Sequence, residues 1–254
     1  MKLENAVVIV TGSSSGVGAA TARLLAARGA RVTINYSSSK AAAESVAQEC
    51  QALGGDTLVC QANVADDESC RQLVDATLAR WGRIDGLVNN AGTTRFVNHA
   101  NLAGLDKDDF FAIYGVNVVG PYQMCRAAEA ALRASGDGAV VNVSSIAGVR
   151  GVGSSIAYAA SKGALITMTK SLARVMGPEV RVNCVCPGFI QGEWLKEGLG
   201  EAAYNRAKEA AEARAPLRRT CTAESVAESI VGFMDGHSIV TGEHIILDGG
   251  QHLM

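Results

Sequence analysis

The sequence predicts one α/β domain, built on a doubly wound parallel sheet of seven strands with helices on both faces. Short apolar runs alternate with alanine-rich amphipathic stretches along all 254 residues. The apolar runs are continuous, which is typical of strands buried on both faces of a parallel sheet. With 48% hydrophobic and 19% charged residues, and with no linker or repeat, the chain predicts a single domain over residues 1–254.

The predicted strands and helices follow one another in regular order. The strands are Ala6–Val10, Arg31–Tyr36, Asp56–Gln61, Ile84–Asn89, Ala139–Val143, Arg181–Cys186 and His244–Leu247. The helices are Gly16–Arg28, Lys40–Leu53, Asp66–Trp81, Asp106–Ala134, Ser155–Met176, Glu201–Ala213 and Thr222–Met234. Gly29 and Gly54-Gly55 stand where helices end, and Asp66 and Thr222 stand at expected N-caps. The mostly helical segment at about residues 189–217 predicts a lid over the carboxyl edge of the sheet.

The composition excludes several classes of protein. A net charge of −2 lacks the basic surplus of a protein that binds nucleic acid or an acidic membrane. No apolar run approaches the ~20 residues of a membrane span, and no signal peptide is recognisable. Seven scattered cysteines indicate reduced thiols and a cytoplasmic protein. The histidines and cysteines lack metal-ligand spacing, so no metal is expected.

A glycine-rich loop, Thr11–Gly18, follows the first strand and opens the first helix. Gly12 permits the tight turn, Gly16 allows a pyrophosphate to approach the backbone, and Gly18 allows close helix packing. The free N–H groups and the dipole of the helix N-terminus favour an anion there. The loop predicts a dinucleotide site, although a helix start rich in Gly and Ser without a ligand is the alternative.

The end of the second strand carries information about the cofactor. The segment Asn35-Tyr36-Ser37-Ser38-Ser39-Lys40 contains no carboxylate, which would favour NAD by accepting a bond from the ribose 2′-OH. It offers three hydroxyls and an ammonium group instead, which favour a 2′-phosphate. The segment therefore predicts NADP(H), with NAD(H) as the alternative. The alternative is that this segment has no role in cofactor binding, so that the serines only cap the helix and Lys40 is solvated.

Tyr158 and Lys162 are four residues apart at the start of a predicted helix, so both lie on one face. A neighbouring cation lowers the pKa of a phenol, which is ordinarily near 10. Such a tyrosine can give a proton to a carbonyl oxygen while hydride arrives at the carbon. Asn89–Gly92, Asn142–Ser145 and Pro187–Ile190 end successive strands, where an open α/β sheet keeps its site.

As an ordered set, these motifs resemble the short-chain dehydrogenase/reductase family, whose domain is a Rossmann fold. The resemblance runs from Val7 to Gly250. It rests on Thr11-Gly12-x3-Gly16-x-Gly18, Asn89-Asn90-Ala91-Gly92, Asn117, Ser145, Tyr158-x3-Lys162, Pro187-Gly188, Val240-Thr241-Gly242 and Asp248-Gly249-Gly250. It is strongest to 3-oxoacyl carrier-protein reductases and their sugar-dehydrogenase relatives. It implies NAD(P)-dependent interconversion of a carbonyl and a secondary alcohol, by a homotetramer or homodimer.

The resemblance also implies roles for individual residues. Tyr158 would be the general acid and base, Ser145 would bind the substrate oxygen, and Asn117 would anchor a relay water. Lys162 would hold the nicotinamide ribose and depress the pKa of Tyr158. The cofactor would contact Gly12, Ser14, Ser15, Gly16, Val17, Gly18, Asn35, Tyr36, Ser37, Ser38, Asn63, Val64, Asn90, Ala91, Gly92, Tyr158, Lys162, Pro187, Gly188 and Ile190.

The chain departs from the family pattern at two positions. Asn63 replaces a frequent Asp, and its amide can still bond adenine. Gly192 replaces a frequent Thr that fixes the carboxamide, which puts the nicotinamide clamp and the lid geometry in doubt. A catalytically vestigial dinucleotide-binding sensor or scaffold is therefore the alternative function. Taken singly, Ser145 could simply end a strand, and Asn117 could simply kink a helix.

Mostly apolar residues are expected to face the substrate, which favours a small or medium hydrophobic carbonyl compound. They are Ile146, Ala147, Val152, Phe189, Trp194 and Leu195, with Arg95 or His99 as polar candidates. A carrier-protein substrate would need a basic docking face. Arg126, Arg133 and Arg174 are candidates for it, but Ser135–Gly138 is not basic, so this substrate class stays open.

Overall fold

A computed structural model describes residues 1–254. It contains one sheet of seven strands in the order β3-β2-β1-β4-β5-β6-β7, and every pair is parallel. The strands are β1 Val7–Val10, β2 Arg31–Tyr36, β3 Thr57–Gln61, β4 Gly86–Asn89, β5 Gly138–Val143, β6 Val180–Pro187 and β7 His244–Leu247. The predicted fold class is confirmed, and the observed strands correspond to the predicted ones within two residues at most ends.

Ten α-helices connect or flank the strands. They are α1 Gly16–Ala27, α2 Lys40–Ala52, α3 Asp67–Trp81, α4 Lys107–Tyr114, α5 Gly120–Ala134, α6 Ile146–Arg150, α7 Ile156–Met176, α8 Glu193–Leu199, α9 Glu201–Arg214 and α10 Ala223–Asp235. The predicted N-caps are confirmed, since Asp66 accepts a bond from Ser69 N at 2.8 Å and Thr222 accepts one from Ser225 N at 3.2 Å. No helix combines the length and the apolar character needed to cross a bilayer.

Two apolar layers enclose the sheet, which explains why the strand sequences are apolar without alternation. In β1, Val8 and Val10 face the layer formed with α1, α2 and α10. Val7 and Ile9 face the opposite layer, formed with α3, α5 and α7. Because consecutive residues of a strand point to opposite faces, both faces need apolar side chains.

The predicted single helix over Asp106–Ala134 is wrong in one respect. Between α4 and α5 lies a π-helical segment, Gly115–Val119. Pro121 has no N–H, so the carbonyl of Asn117, four residues earlier, lacks its α-helical donor. Gly120 also packs closely on the loop that follows β3. A Cβ on Gly120 would lie 2.9 Å from Val64 Cγ2. The missing donor accounts for the local departure from α geometry.

Candidate active site

The loop between β1 and α1 is tied to the ends of two neighbouring strands. The side-chain amide of Asn90 donates to Thr11 O at 3.0 Å and to Gly12 O at 2.9 Å. Gly12 N donates to Asn35 Oδ1 at 3.0 Å. Gly12 has φ +60°, and a Cβ there would lie 2.9 Å from Ala91 Cα. The predicted tight turn is therefore built against the end of β4.

The same loop leaves an open cradle at the N-terminus of α1. Gly16 has φ +53°, and no atom lies within 4 Å of the place where its Cβ would be. The N-cap, Ser15, makes no side-chain hydrogen bond to the helix, so the N–H groups of the first turn are available. Gly18 has no such room, because a Cβ would collide with Asn90 Nδ2 and Gly12 O. These features fit a pyrophosphate group.

The end of β2 separates into a buried part and an exposed part. The Asn35 side chain is 2% exposed and donates to Ala62 O at 3.1 Å while it accepts from Gly12 N. Asn35 thus shapes the glycine loop from inside, and its predicted contribution to cofactor binding is indirect. Tyr36 is also buried, whereas Ser37 and Ser38 are exposed. The hydroxyls of these two serines are the groups accessible to a ribose.

The loop after β3 carries the two predicted adenine contacts. Asn63 Oδ1 accepts a bond from Ala65 N at 3.1 Å, and the residue is exposed. Val64 is buried, and its carbonyl accepts a bond from Gln123 Nε2 at 2.9 Å. The turn is therefore anchored to α5, while Asn63 lies at the surface.

Ser145, Tyr158 and Lys162 meet at the carboxyl edge of the sheet. Ser145 is the N-cap of α6, where its Oγ accepts a bond from Ala147 N at 3.1 Å. Tyr158 lies in the first turn of α7, and its phenol is close enough to Ser145 for the serine hydroxyl to offset part of the rise in the phenol's pKa. Lys162 Nζ lies 5.6 Å from the centroid of the Tyr158 ring and donates to Val143 O at 2.8 Å.

The charge state of this group differs from the expectation. Tyr158 keeps some exposed surface, yet desolvation raises its pKa to about 12, opposed only in part by the hydrogen bond to Ser145. Burial lowers the pKa of Lys162 to about 8. The expected lowering of the Tyr158 pKa by Lys162 is therefore wrong for the protein without cofactor. The ammonium group bonds to a backbone carbonyl, and desolvation of the phenol dominates.

Asn117 is fully buried, and its side chain joins two parts of the site. Its Oδ1 accepts a bond from Thr93 N at 2.8 Å. Its Nδ2 donates to Thr93 O at 2.9 Å and to Ser161 Oγ at 3.0 Å. The side chain therefore positions the loop after β4 against α7. The backbone carbonyl of Asn117 lacks an α-helical hydrogen-bond donor, because Pro121 has no N–H.

The helices of the predicted lid, α8 and α9, have defined contacts, and the backbone at Gly192 has a conformation that suits glycine. Gly192 has φ +154°, a conformation that L side chains rarely adopt. Its N–H donates to Tyr204 Oη at 3.3 Å. Gly198 packs so closely on the Phe96 ring that a Cβ would collide with it. These contacts lie at both ends of α8.

The residues expected to face the substrate are dispersed. Trp194 lies beside the catalytic group, with its ring centroid 6.3 Å from that of Tyr158. Ala147 is buried, and Val152 is 46% exposed. The Arg95 guanidinium pairs with Asp109, which makes it a poor candidate for binding substrate.

Two aromatic residues of the site were not predicted. The Phe96 ring centroid lies 5.6 Å from that of Trp194, and the Tyr204 centroid lies 5.3 Å from that of Phe189. Neither belongs to a motif or a helical repeat. Only their placement near Gly92 and in the lid could have drawn attention to them.

Two of the three arginines considered for a carrier-protein docking face are paired with carboxylates of the same chain. Arg126 pairs with Asp67. Arg133 pairs with Glu129 at 3.0 Å and with Glu179 at 2.7 Å.

The ionisation of Tyr158 can be tested directly. We expect wild type and Tyr158→Phe to show the same tyrosinate absorbance up to about pH 10, because desolvation keeps this phenol protonated. The measurement is ultraviolet difference titration without cofactor, with circular dichroism at each pH to verify folding. An additional tyrosinate in wild type with a midpoint below pH 9 would show that the Lys162 charge dominates.

Comparisons with known proteins agree with this geometry. A family model described as Enoyl-(Acyl carrier protein) reductase matches residues 12–252. The chain is 43% identical over 251 residues to a protein of Streptomyces violaceoruber named as ketoacyl reductase 2 of the granaticin polyketide synthase, covering 99% of this chain and 98% of that one. It is 38% identical over 252 residues to the 3-oxoacyl-[acyl-carrier-protein] reductase FabG of Thermotoga maritima, covering 98% and 99%.

A solved structure supports the same relationship. It is described as a short-chain dehydrogenase/reductase from Burkholderia xenovorans, and it matches with a TM-score of 0.91 and 40% sequence identity. The match covers 98% of this chain and 99% of that one. Both the sequence and the overall fold agree over nearly the whole length. The chain therefore belongs to the short-chain dehydrogenase/reductase family.

Proposed function

We propose that the protein is an NADP(H)-dependent reductase that interconverts a ketone and a secondary alcohol. The observation that carries the proposal is the meeting of Ser145, Tyr158 and Lys162 beside the open cradle at Gly16. The exposed serines after β2 and the uncapped start of α1 fit a phosphorylated dinucleotide. When bound, the nicotinamide would supply or accept the hydride.

The protein's own residues would handle the oxygen and its proton. Ser145 Oγ would donate a hydrogen bond to the substrate carbonyl oxygen. Tyr158 is neutral near pH 7, because its pKa is about 12, so it would act as the proton donor in reduction. In oxidation the tyrosinate would be the base.

Lys162 and Asn117 would support that proton transfer. An ammonium group whose pKa is about 8 would stabilise the phenolate as it forms and could itself release a proton. The backbone carbonyl of Asn117, without an α-helical donor, is the group that would hold a relay water. The predicted relay role would then belong to the backbone of Asn117 and not to its engaged amide.

The vestigial sensor or scaffold has little in its favour. Its one indication was Gly192, whose φ of +154° suits a glycine and whose N–H is bonded to Tyr204 Oη. All three side chains that the reaction needs are present at the carboxyl edge of the sheet, where Lys162 Nζ lies 5.6 Å from the centroid of the Tyr158 ring. The related proteins named above are reductases, which supports retained catalysis.

Replacing Tyr158 separates catalysis from cofactor binding. We expect Tyr158→Phe to lower kcat for ketone reduction by about 10²- to 10⁴-fold, because the general acid is lost. The Kd for NADPH, measured by nicotinamide fluorescence, should change little. Tyr114→Phe on α4 is the matched control and should retain wild-type turnover. Near wild-type turnover in Tyr158→Phe would refute the mechanism.

The preference for NADP(H) rests on the start of α2. Ser39, the N-cap, makes no side-chain bond to the helix, so no side chain caps the N–H groups of the first turn of α2. The Lys40 side chain is 69% exposed, and its Nζ lies 3.6 Å from Glu44 Oε1 in a surface pair that a phosphate could displace. No carboxylate follows β2 in this segment. These features support recognition of a 2′-phosphate.

A single carboxylate should reverse that preference. We expect Ser38→Asp to lower the ratio of kcat/KM for NADPH over NADH by about tenfold, equivalent to about 1.4 kcal/mol. The carboxylate would repel a 2′-phosphate and accept a bond from a 2′-OH. Ser171→Asp, at an exposed position of α7, adds the same charge elsewhere and should leave the ratio unchanged. If Ser38→Asp left the ratio of kcat/KM for NADPH over NADH unchanged, the adenosine ribose of the cofactor would not bind next to Ser38.

The substrate class and cellular location are proposed more broadly. A 3-oxoacyl compound or another small ketone agrees with the apolar surroundings of Tyr158. The paired states of Arg126 and Arg133 give no support to carrier-protein docking. Seven free cysteines, mostly buried, suit a reducing cytoplasm.

We also propose a homotetramer or homodimer. Large apolar side chains are exposed on helices that lie next to one another, including Phe111 at 63%, Tyr122 at 47% and Val175 at 65%. Light scattering at micromolar concentration should give two or four times the mass of one chain. Tyr122→Glu should lower that mass, because the new carboxylate would be desolvated in the interface. A monomeric wild type would refute the assembly.

A further inference from the structure

Two aromatic side chains form a wall next to the reacting group. We call Phe96 and Trp194 the aromatic wall. Their ring centroids are 5.6 Å apart with an interplanar angle of 57°. The Trp194 ring is also 6.3 Å from the Tyr158 ring, at 46°. Trp194 is 49% exposed, so much of its side chain is uncovered.

The wall is held in place by contacts on both sides of the lid. Gly198 lies directly against the Phe96 ring. The N–H of Gly192, two residues before Trp194, donates to Tyr204 Oη. Phe189 packs on Tyr204 with centroids 5.3 Å apart. The indole is therefore placed before substrate arrives, which lowers the entropic cost of using it for recognition.

The position of the wall determines which part of a substrate it would meet. A carbonyl oxygen that receives the Tyr158 proton must lie about 2.6–3.2 Å from the phenolic oxygen. The groups attached to the carbonyl carbon then lie beyond the phenolic oxygen. Because the Trp194 ring centroid is only 6.3 Å from that of Tyr158 and the Trp194 side chain is 49% exposed, Trp194 is within reach of the groups on one side of the carbonyl.

The charges on the two segments that carry the wall favour an uncharged substrate. On the loop after β4, Arg95 is paired with Asp109. On α8, Lys196 Nζ lies 3.8 Å from Glu193 Oε1. Each cation already faces a carboxylate of the chain, so neither adds an uncompensated positive charge beside the wall. Tilted aromatic rings instead offer offset-stacked and edge contacts to a flat ring.

We infer that the aromatic wall makes this protein selective for ketones that carry a planar aromatic ring next to the carbonyl or fused to the ring that contains it. This inference rests on the proposed ketone reductase activity and gives it a substrate class. Trp194 is the specificity-determining residue. A flexible saturated substrate chain that packs on Trp194 gains only burial of its apolar surface. A flat ring gains the additional aromatic contact, which should be worth about fivefold in kcat/KM.

The test compares two bicyclic ketones that differ mainly in aromaticity, 2-tetralone and trans-2-decalone. The kcat/KM ratio of tetralone over decalone is measured with NADPH for wild type, Trp194→Leu and Leu199→Ala. We expect Trp194→Leu to lower the ratio about fivefold, mostly through the tetralone value. Leu199→Ala, on the same helix, should keep the wild-type ratio. An unchanged ratio in Trp194→Leu, or a loss shared equally by both ketones, would overturn the inference.

A binding measurement keeps this test separate from the proposed activity. Only two tryptophans are present, so Trp81→Phe leaves Trp194 as the single indole emitter. Each ketone is titrated against this emission to obtain its Kd. We expect the Kd of 2-tetralone to be about fivefold lower than that of trans-2-decalone. Equal Kd values would overturn the aromatic preference even if both ketones are reduced. Tighter tetralone binding without turnover of any ketone would sustain the preference and refute the activity.

Discussion

The docking of α7 on the end of β5 is the constraint on which the site depends. Ser144 Oγ donates to Lys162 O at 2.7 Å, and Lys162 Nζ donates back to Val143 O at 2.8 Å. Gly148 of α6 touches the backbone at Lys162 so closely that any Cβ would collide. Sheet, short helix and long helix are thus fixed in one register. A shift of α7 by a fraction of a turn would move Tyr158 away from Ser145.

A second set of bonds continues this docking into the core. Asn142 Nδ2 donates to Thr169 Oγ1 at 2.9 Å, and Asn89 Nδ2 donates to Asn142 Oδ1 at 2.9 Å. All three residues are buried, and such bonds discriminate strongly against other registers because an unpaired buried amide is costly. The same burial explains the charge states. Both the phenol and the amine are held nearer their neutral forms, so charge develops only as the reaction proceeds.

Much of this arrangement follows from local sequence. Continuous apolar runs identify strands of a parallel sheet, glycines identify the phosphate loop, and the four-residue spacing of Tyr158 and Lys162 identifies a shared helix face. The remainder depends on tertiary surroundings. Desolvation of Tyr158 and the internal bonds of Asn35 arise from residues far apart in the chain. The π-helical segment could have been predicted only from Pro121, which lacks the N–H that an α-helix needs there. Phe96 and Trp194 are far apart in the sequence and come together only in the folded chain.

The strand order has a consequence for how the chain folds. β1 lies between β2 and β4, and Val7 N donates to a carboxylate oxygen of Asp85, 78 residues later. The first three strands can therefore assemble while one edge of β1 remains unpaired. An unpaired edge of an apolar strand is a template for pairing with another chain. During synthesis on the ribosome, that edge stays unpaired until β4 emerges, so pairing of β1 with β4, at the middle of the native sheet, ends an aggregation-sensitive stage of folding.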